Sequence, residues 1–265
     1  MAHIVDLRTE VVHRYVLELR YLLGHLYWDR CGRIINEIIS SEGNWDFENI
    51  EGGTCHLVAR EKNLHFSFSA SKLDLSQTQS SEVDKIEPVD QFGSVADSFS
   101  AKVTETLQLS EFSRIGFRTW YLYPTADRDE SYRRVRSLKL LSPEINCLEL
   151  GNVSEAACRL VIELPTHMVR VAVTTFEQVV NLPVGIVQVA RAKAREHSRN
   201  QKQVLLDRLK AEKIVKSYPQ FGVLVDLDAF MDEPPYPNNL SVSEFITSAV
   251  ASFDAVKTAL LEDRA

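Results

Sequence analysis

The chain has 265 residues, 45% of them hydrophobic, and a formal net charge of -7 at pH 7. That length suits one large or two small domains, and the hydrophobic fraction excludes disorder over the whole chain. The acidic balance argues against a general nucleic-acid coat, no run nears the roughly 18 apolar residues of a membrane span, and MAHIVDLRTE lacks the basic-then-apolar build of a signal peptide, so a cytoplasmic protein away from the membrane is expected.

Alternation from Val12 to Leu22 (VHRYVLELRYL) predicts a strand with Tyr15, Leu17, Leu19 and Tyr21 on one face and Val16, Glu18 and Arg20 on the other. Asp29 is placed to cap a short helix carrying Ile34, Ile35, Ile38 and Ile39. After a turn at Gly52-Gly53, TCHLVAR (Thr54 to Arg60) and LHFSFSA (Leu64 to Ala70) read as a half-buried hairpin with Leu64, Phe66, Phe68 and Ala70 inward. Ser71 to Pro88, rich in Ser, Gln, Asp and Glu, is expected to be an exposed loop with room for one strand extension. A helix opening at Asp90 carries the stripe Phe92, Val95, Phe99, Val103 and Leu107, and the strand RIGFRTWYLY (Arg114 to Tyr123) closes this half. The resulting order, β-α-β-β-α-β, is that of the split unit in ferredoxin-like sheets.

Asp127 to Leu141 reads as a charged helical stretch, and Ala157 to Thr174 as a second hairpin turning at Pro165-Thr166-His167. A long polar helix is expected from Ile186 to Ser217, then the strand FGVLVDLDAF, the loop EPPYPNN and a last helix. Ser241-Val242-Ser243-Glu244 has the form of a capping box, and Val242, Phe245, Ile246, Ala249, Val250, Phe253 and Val256 make one apolar stripe. The expected fold is α+β: two related halves, 1-125 and 126-265, each an antiparallel or mixed sheet with helices on one face, joined in one compact unit.

Asp226 and Asp228 stand two apart on a strand, so both side chains point to one face and could share a divalent cation. The same text suits a strand with one wet face, since Val223, Val225 and Leu227 form the opposite one. VDLDAF is similar to the aspartate motif of lesion-bypass DNA polymerases, but a loop and one helix after it are too little for the finger and thumb regions of those enzymes. Arg114 and Arg118 share a face of their strand and could hold an anion or a partner, or pair with Asp226 and Asp228 across the sheet. From Arg191 to Lys216, nine basic residues, among them Arg195, Arg199, Lys202, Arg208, Lys210 and Lys213, face three acidic ones. Such a stretch could contact nucleic acid or an acidic protein surface, and equally could be a solvated helix. Cys31, Cys55, Cys147 and Cys158 form no C-x-x-C and read as free thiols, and the histidines show no metal-ligand spacing.

Three motifs in order, VLELRY (Val16 to Tyr21), EFSRIGFR (Glu111 to Arg118) and VDLDAF with a later helix carrying Phe253, resemble a sporadically distributed, largely uncharacterised bacterial family. Members continue the second strand as R-Y-x-N where this chain reads RTWYLYP, which removes any role tied to that asparagine. The resemblance implies an α+β fold and, from the family's patchy distribution, an accessory role in a bacterial defence or other mobile-element system. The expectation is therefore a non-catalytic interaction protein without cofactor, its partner a protein or a second copy through the long helix. The alternatives are a Mg²⁺-dependent phosphodiesterase or nucleotidyl transferase on Asp226 and Asp228, and a nucleic-acid binder using residues 191-216.

Overall fold

The computed structural model describes residues 10-22, 24-79, 86-138, 157-177 and 219-261. Its elements run β1 (Val11–Tyr21), α1 (Tyr27–Glu42), β2 (Asp46–Glu51), β3 (Thr54–Ala59), β4 (Leu64–Phe68), β5 (Lys72–Thr78), α2 (Val89–Leu107), β6 (Phe112–Thr125), α3 (Arg128–Ser137), β7 (Ala157–Glu163), β8 (Met168–Glu177), β9 (Phe221–Asp232) and α4 (Val242–Leu261). The long polar helix expected from Ile186 to Ser217 lies outside the described residues, and with it Arg195, Arg199, Lys202, Arg208, Lys210 and Lys213.

The protein is α+β, but in place of two separate sheets it has one antiparallel sheet of nine strands, in the order β2-β3-β4-β5-β1-β6-β9-β8-β7. The ferredoxin-like split unit is not what forms. Its β-α-β-β-α-β order lacks two strands that the structure contains, β2 and β5. The strand extension for which Ser71 to Pro88 left room is β5, Lys72–Thr78, which pairs with both β4 and the central strand β1. Among the described elements the order strand, helix, antiparallel strands, helix occurs twice, and β1 and β6 pair at the centre with antiparallel strands on either side.

Alternation decides which face is buried. Tyr15, Leu17, Leu19 and Tyr21 of β1 share a face with Phe66 and Phe68 of β4, Leu73 and Leu75 of β5, Ile115 and Phe117 of β6 and Val223, Val225 and Leu227 of β9, and all are in the core. Four helices cover this face, α3 over the β8–β9 end through Val135 and Leu138 and the other three over the rest. Phe92 of α2 lies 5.3 Å from Tyr15 and 6.0 Å from Phe117, ring centre to ring centre, and Phe253 of α4 stacks on Phe117 at 6.0 Å. Tyr27 of α1 meets Phe68 edge-on at 5.9 Å, and its hydroxyl lies 3.3 Å from the buried Cys55 thiol. Cys31 and Cys55 are both free, as expected.

Local signals explain most boundaries. The capping box at α4 is complete: Ser241 Oγ accepts from the Glu244 N–H at 3.0 Å while Glu244 Oε2 accepts from the Ser241 N–H at 3.1 Å. Asp127 caps α3 by accepting from the Glu130 N–H at 2.7 Å. Asp29 caps nothing: α1 starts two residues earlier, and Asp29 sits in its first turn, where a carboxylate suits the helix dipole. Gly52 and Gly53 have φ of 55° and 77°, the positive pair that a tight hairpin between β2 and β3 requires.

Where β6 and β9 meet at their ends, Gly222 leaves no room for a side chain. A Cβ there would stand 2.7 Å from Leu122 Cδ1 and 2.7 Å from the Tyr123 carbonyl oxygen. Leu122 can turn aside but a strand carbonyl cannot, so Gly222→Ala is expected to destabilise the fold by about 2 kcal/mol through overpacking. Urea unfolding measures it; an unmoved midpoint would mean the two strand ends are free to part.

Candidate functional site

The face of the sheet turned away from α1, α2 and α4 carries the charges. Its central rows come from β1 (Arg14, Val16, Glu18, Arg20), β6 (Arg114, Gly116, Arg118, Trp120), β9 (Asp226, Asp228, Phe230) and β8 (Arg170, Ala172), brought side by side by the register of the four strands. Each strand contributes charges at alternate positions, because its other positions are committed to the core.

Asp226 and Asp228 do point to one face, and both are met by guanidinium groups. Arg118 holds Asp226 with two parallel hydrogen bonds, Nε to Oδ1 at 2.7 Å and Nη2 to Oδ2. The direct neighbour of Asp228 on β6 is Arg118, yet its bonds go to Arg114, four residues along that strand, at 3.3 Å, and to Arg170, its direct neighbour on β8, at 3.0 Å. Glu18 of β1 completes the lattice, 2.8 Å from Arg20 and 3.8 Å from Arg114. Of the two uses foreseen for Arg114 and Arg118, the cross-sheet pairing with Asp226 and Asp228 is thus present.

Two aromatic rings are built into this lattice. The guanidinium carbons of Arg114 and Arg170 lie 4.7 Å and 5.2 Å from the centre of Phe230, and those of Arg14 and Arg118 each lie 5.2 Å from Trp120. His13 stacks on Trp120 at 5.8 Å, and Phe176 meets His13 edge-on at 5.7 Å. Burial, with Arg14 adding to it, holds the His13 imidazole below its ordinary value, so the ring is neutral at pH 7.

The charges are clustered at the centre of the face. Five guanidinium groups (Arg14, Arg20, Arg114, Arg118, Arg170) stand around Glu18, Asp226 and Asp228, while Asp74 of β5, paired with Lys72, and Asp232 of β9 lie on the same face opposite Glu18 and Arg114. Among the described residues no carboxylate lies within ion-pair distance of Arg14, whose Nε, like the Trp120 Nε1, is buried without a hydrogen-bond partner. Burial and the neighbouring Arg118 charge lower the Arg14 guanidinium from its ordinary value. The bond to Asp226 raises Arg118 against the opposing effect of burial. Burial pushes the Asp228 carboxyl up, with Arg114, Arg170 and Arg118 pulling against it.

This arrangement constrains the metal alternative. Among the described residues no group of three His, Cys, Asp or Glu side chains could hold an ion. A divalent cation at Asp226 and Asp228 would have to displace guanidinium groups already bonded to both. His167 is buried against Phe245 at 6.0 Å, its Nδ1 2.9 Å from Thr166 Oγ1, a structural setting. Sequence reasoning alone does not join Arg14, Arg170, Trp120 and Phe230 into one site. Their signal is present as charges and rings out of phase with the apolar period of their strands. No protein-family model and no curated protein matches the chain, so the family resemblance rests on the three motifs alone. Among the described residues no helix is long and apolar enough to cross a membrane.

Proposed function

We propose that the chain is a non-catalytic interaction protein that holds an acidic partner on the charged face of its sheet, opposite the described helices, an accessory role of the kind its motif resemblance implies. The observation that supports this reading is the cluster of four guanidinium groups set over Trp120 and Phe230. A guanidinium fixed on a ring and tied to a carboxylate has little rotamer freedom left to lose, and Arg118 and Arg170 stay 44% and 40% exposed, with N–H groups open to a second acceptor. Planar forked donors at fixed spacing suit carboxylates presented by a folded or extended acidic segment.

The test is fluorescence anisotropy of a labelled glutamate-rich peptide, with single-stranded and duplex oligonucleotides run in parallel at low and high salt. The peptide is expected to bind more tightly than either oligonucleotide, and Arg118→Ala or Arg14→Ala to weaken it about tenfold, or about 1.4 kcal/mol. Tighter binding of an oligonucleotide with a steep salt slope would move the reading to nucleic acid. Titration of Mg²⁺ and Mn²⁺ by calorimetry into wild type and Asp226→Ala/Asp228→Ala protein separates off the phosphodiesterase or nucleotidyl-transferase reading: saturable heat that the double variant loses would overturn the interaction reading.

A further inference from the structure

At the end of the sheet beside α1, β2 pairs among the described residues with β3 alone, and all six of its residues are exposed. An unpaired strand edge presents a row of backbone donors and acceptors to solvent, which proteins commonly blunt with charge or bulges. β2 has both, but distributed in a way that does more than repel. Its register with β3 shifts between Phe47 and Asn49, and this irregularity sets Phe47 opposite Leu57 and Ile50 opposite Cys55. Leu57 and Cys55 belong to the helix-covered core face, so Phe47 and Ile50 both lie on that side although they are three residues apart. Trp28 of α1 comes close to the hairpin turn, where a Cβ on Gly53 would stand 3.2 Å from its ring.

Trp28, Phe47 and Ile50 are 69%, 44% and 53% exposed, three of the five large hydrophobic residues that the described residues leave open to solvent. An apolar group of this kind beside a free strand edge marks a contact surface. The opposite side of β2 is acidic. Asp46, 4.0 Å from the exposed Arg60 Nε, and Glu51 stand across from Val58 and Thr54, on the face opposite the helices, with Glu48 at the irregularity between them. The edge is thus amphipathic, apolar toward the helices and negative toward the other face.

We infer that β2 is a docking edge for an extended segment of a partner protein in which apolar and basic residues alternate, added as a tenth strand. In such a segment one set of side chains packs on Trp28, Phe47 and Ile50 while the other pairs with Asp46 and Glu51, and the main chain completes the hydrogen bonds of β2. Charge complementarity selects this occupant: a second copy of β2 would set its own carboxylates against these.

The probe is a short synthetic peptide alternating Val and Ile with Lys, compared with a scrambled peptide of equal composition and with the same peptide methylated on alternate backbone nitrogens. Hydrogen exchange of the full chain is expected to show new protection at Asp46–Glu51 with the alternating peptide only, and methylation or Ile50→Asp to weaken binding about tenfold or more. Circular dichroism checks that the variant keeps its fold, and Asp46→Lys/Glu51→Lys serves as a second, surface-only change expected to abolish binding. Equal binding of the methylated or scrambled peptide, or protection elsewhere than β2, would overturn strand addition. So would self-association of the protein alone, seen by sedimentation and removed by Ile50→Asp, since the edge would then belong to a second copy.

Discussion

Phe117→Ala is expected to lower the stability of the whole chain by about 4 kcal/mol, the range for removing a buried aromatic ring whose neighbours cannot close the gap. Phe117 is fully buried at the middle of β6, and its ring meets Tyr15 of β1, Phe92 of α2 and Phe253 of α4. Those contacts come from the neighbouring central strand β1 and from two of the helices that lie over it, so the cavity would be walled by three elements already packed against β6. Collapse would require α2 or α4 to move toward the sheet, and each is held elsewhere, α2 through Phe99 on Phe66 at 4.9 Å, α4 through Phe245 and Ile246. Urea unfolding monitored by tryptophan fluorescence and by circular dichroism gives the number. A loss under about 1 kcal/mol would mean that the helices shift freely over the sheet, against the layered packing of this core. Coincident curves are expected, because one sheet running through both halves of the chain makes them one cooperative unit.

The elements that were legible in the sequence are those with one uninterrupted period. Helix α2, helix α4, the β3–β4 and β7–β8 hairpins, β6 and β9 all carry apolar residues at a spacing that a single structure explains. Strand β5 was hidden because its inward positions are Leu73, Leu75 and Gln77, and a glutamine reads as solvent-facing. Gln77 is fully buried, its Nε2 donating to the Lys62 carbonyl at 2.9 Å and its Oε1 accepting from the Glu87 N–H at 3.2 Å. Those partners belong to two distant loops, and no local pattern announces them. Strand β2 was hidden for a different reason: all of it is exposed, and its register shift breaks the alternation that would have revealed it.

The site was legible in half. Even spacing placed Asp226 and Asp228 on one face of their strand and Arg114 and Arg118, four apart, on one face of theirs, a consequence of strand geometry alone. What joins them is the strand order, β1-β6-β9-β8, and that order depends on which edges pair at long range. Arg170 reaches Asp228 only because β8 returns beside β9, and Arg14 reaches Trp120 only because β1 lies beside β6. The charged face is therefore a product of topology, assembled from single charges that look unremarkable in their own segments.

A second large effect is expected inside the core, at Lys257 of α4. Its ammonium group donates to Glu10 at 3.0 and 3.1 Å, pairs with Asp254 at 3.0 Å and lies 3.9 Å from the centre of the Tyr121 ring, with only 11% of the side chain exposed. Glu10 also accepts from the hydroxyl of Tyr123, whose acidity burial and that same bond suppress, so the phenol remains a donor at any ordinary pH. Lys257→Met keeps the stem that covers Tyr121 and removes the charge, leaving the Glu10 carboxylate with the tyrosine alone. Removal of one partner from such a buried pair typically costs about 3 kcal/mol, chiefly by stranding the other charge. Adding Glu10→Gln should then return part of the loss, with a coupling of about 1–2 kcal/mol between the two positions in a double-mutant cycle. Strict additivity would show that Glu10 is well solvated without its lysine. Recovery would show that the cluster fastens the start of β1 to the last helix, holding in register the central strand on whose other face Arg14, Glu18 and Arg20 stand.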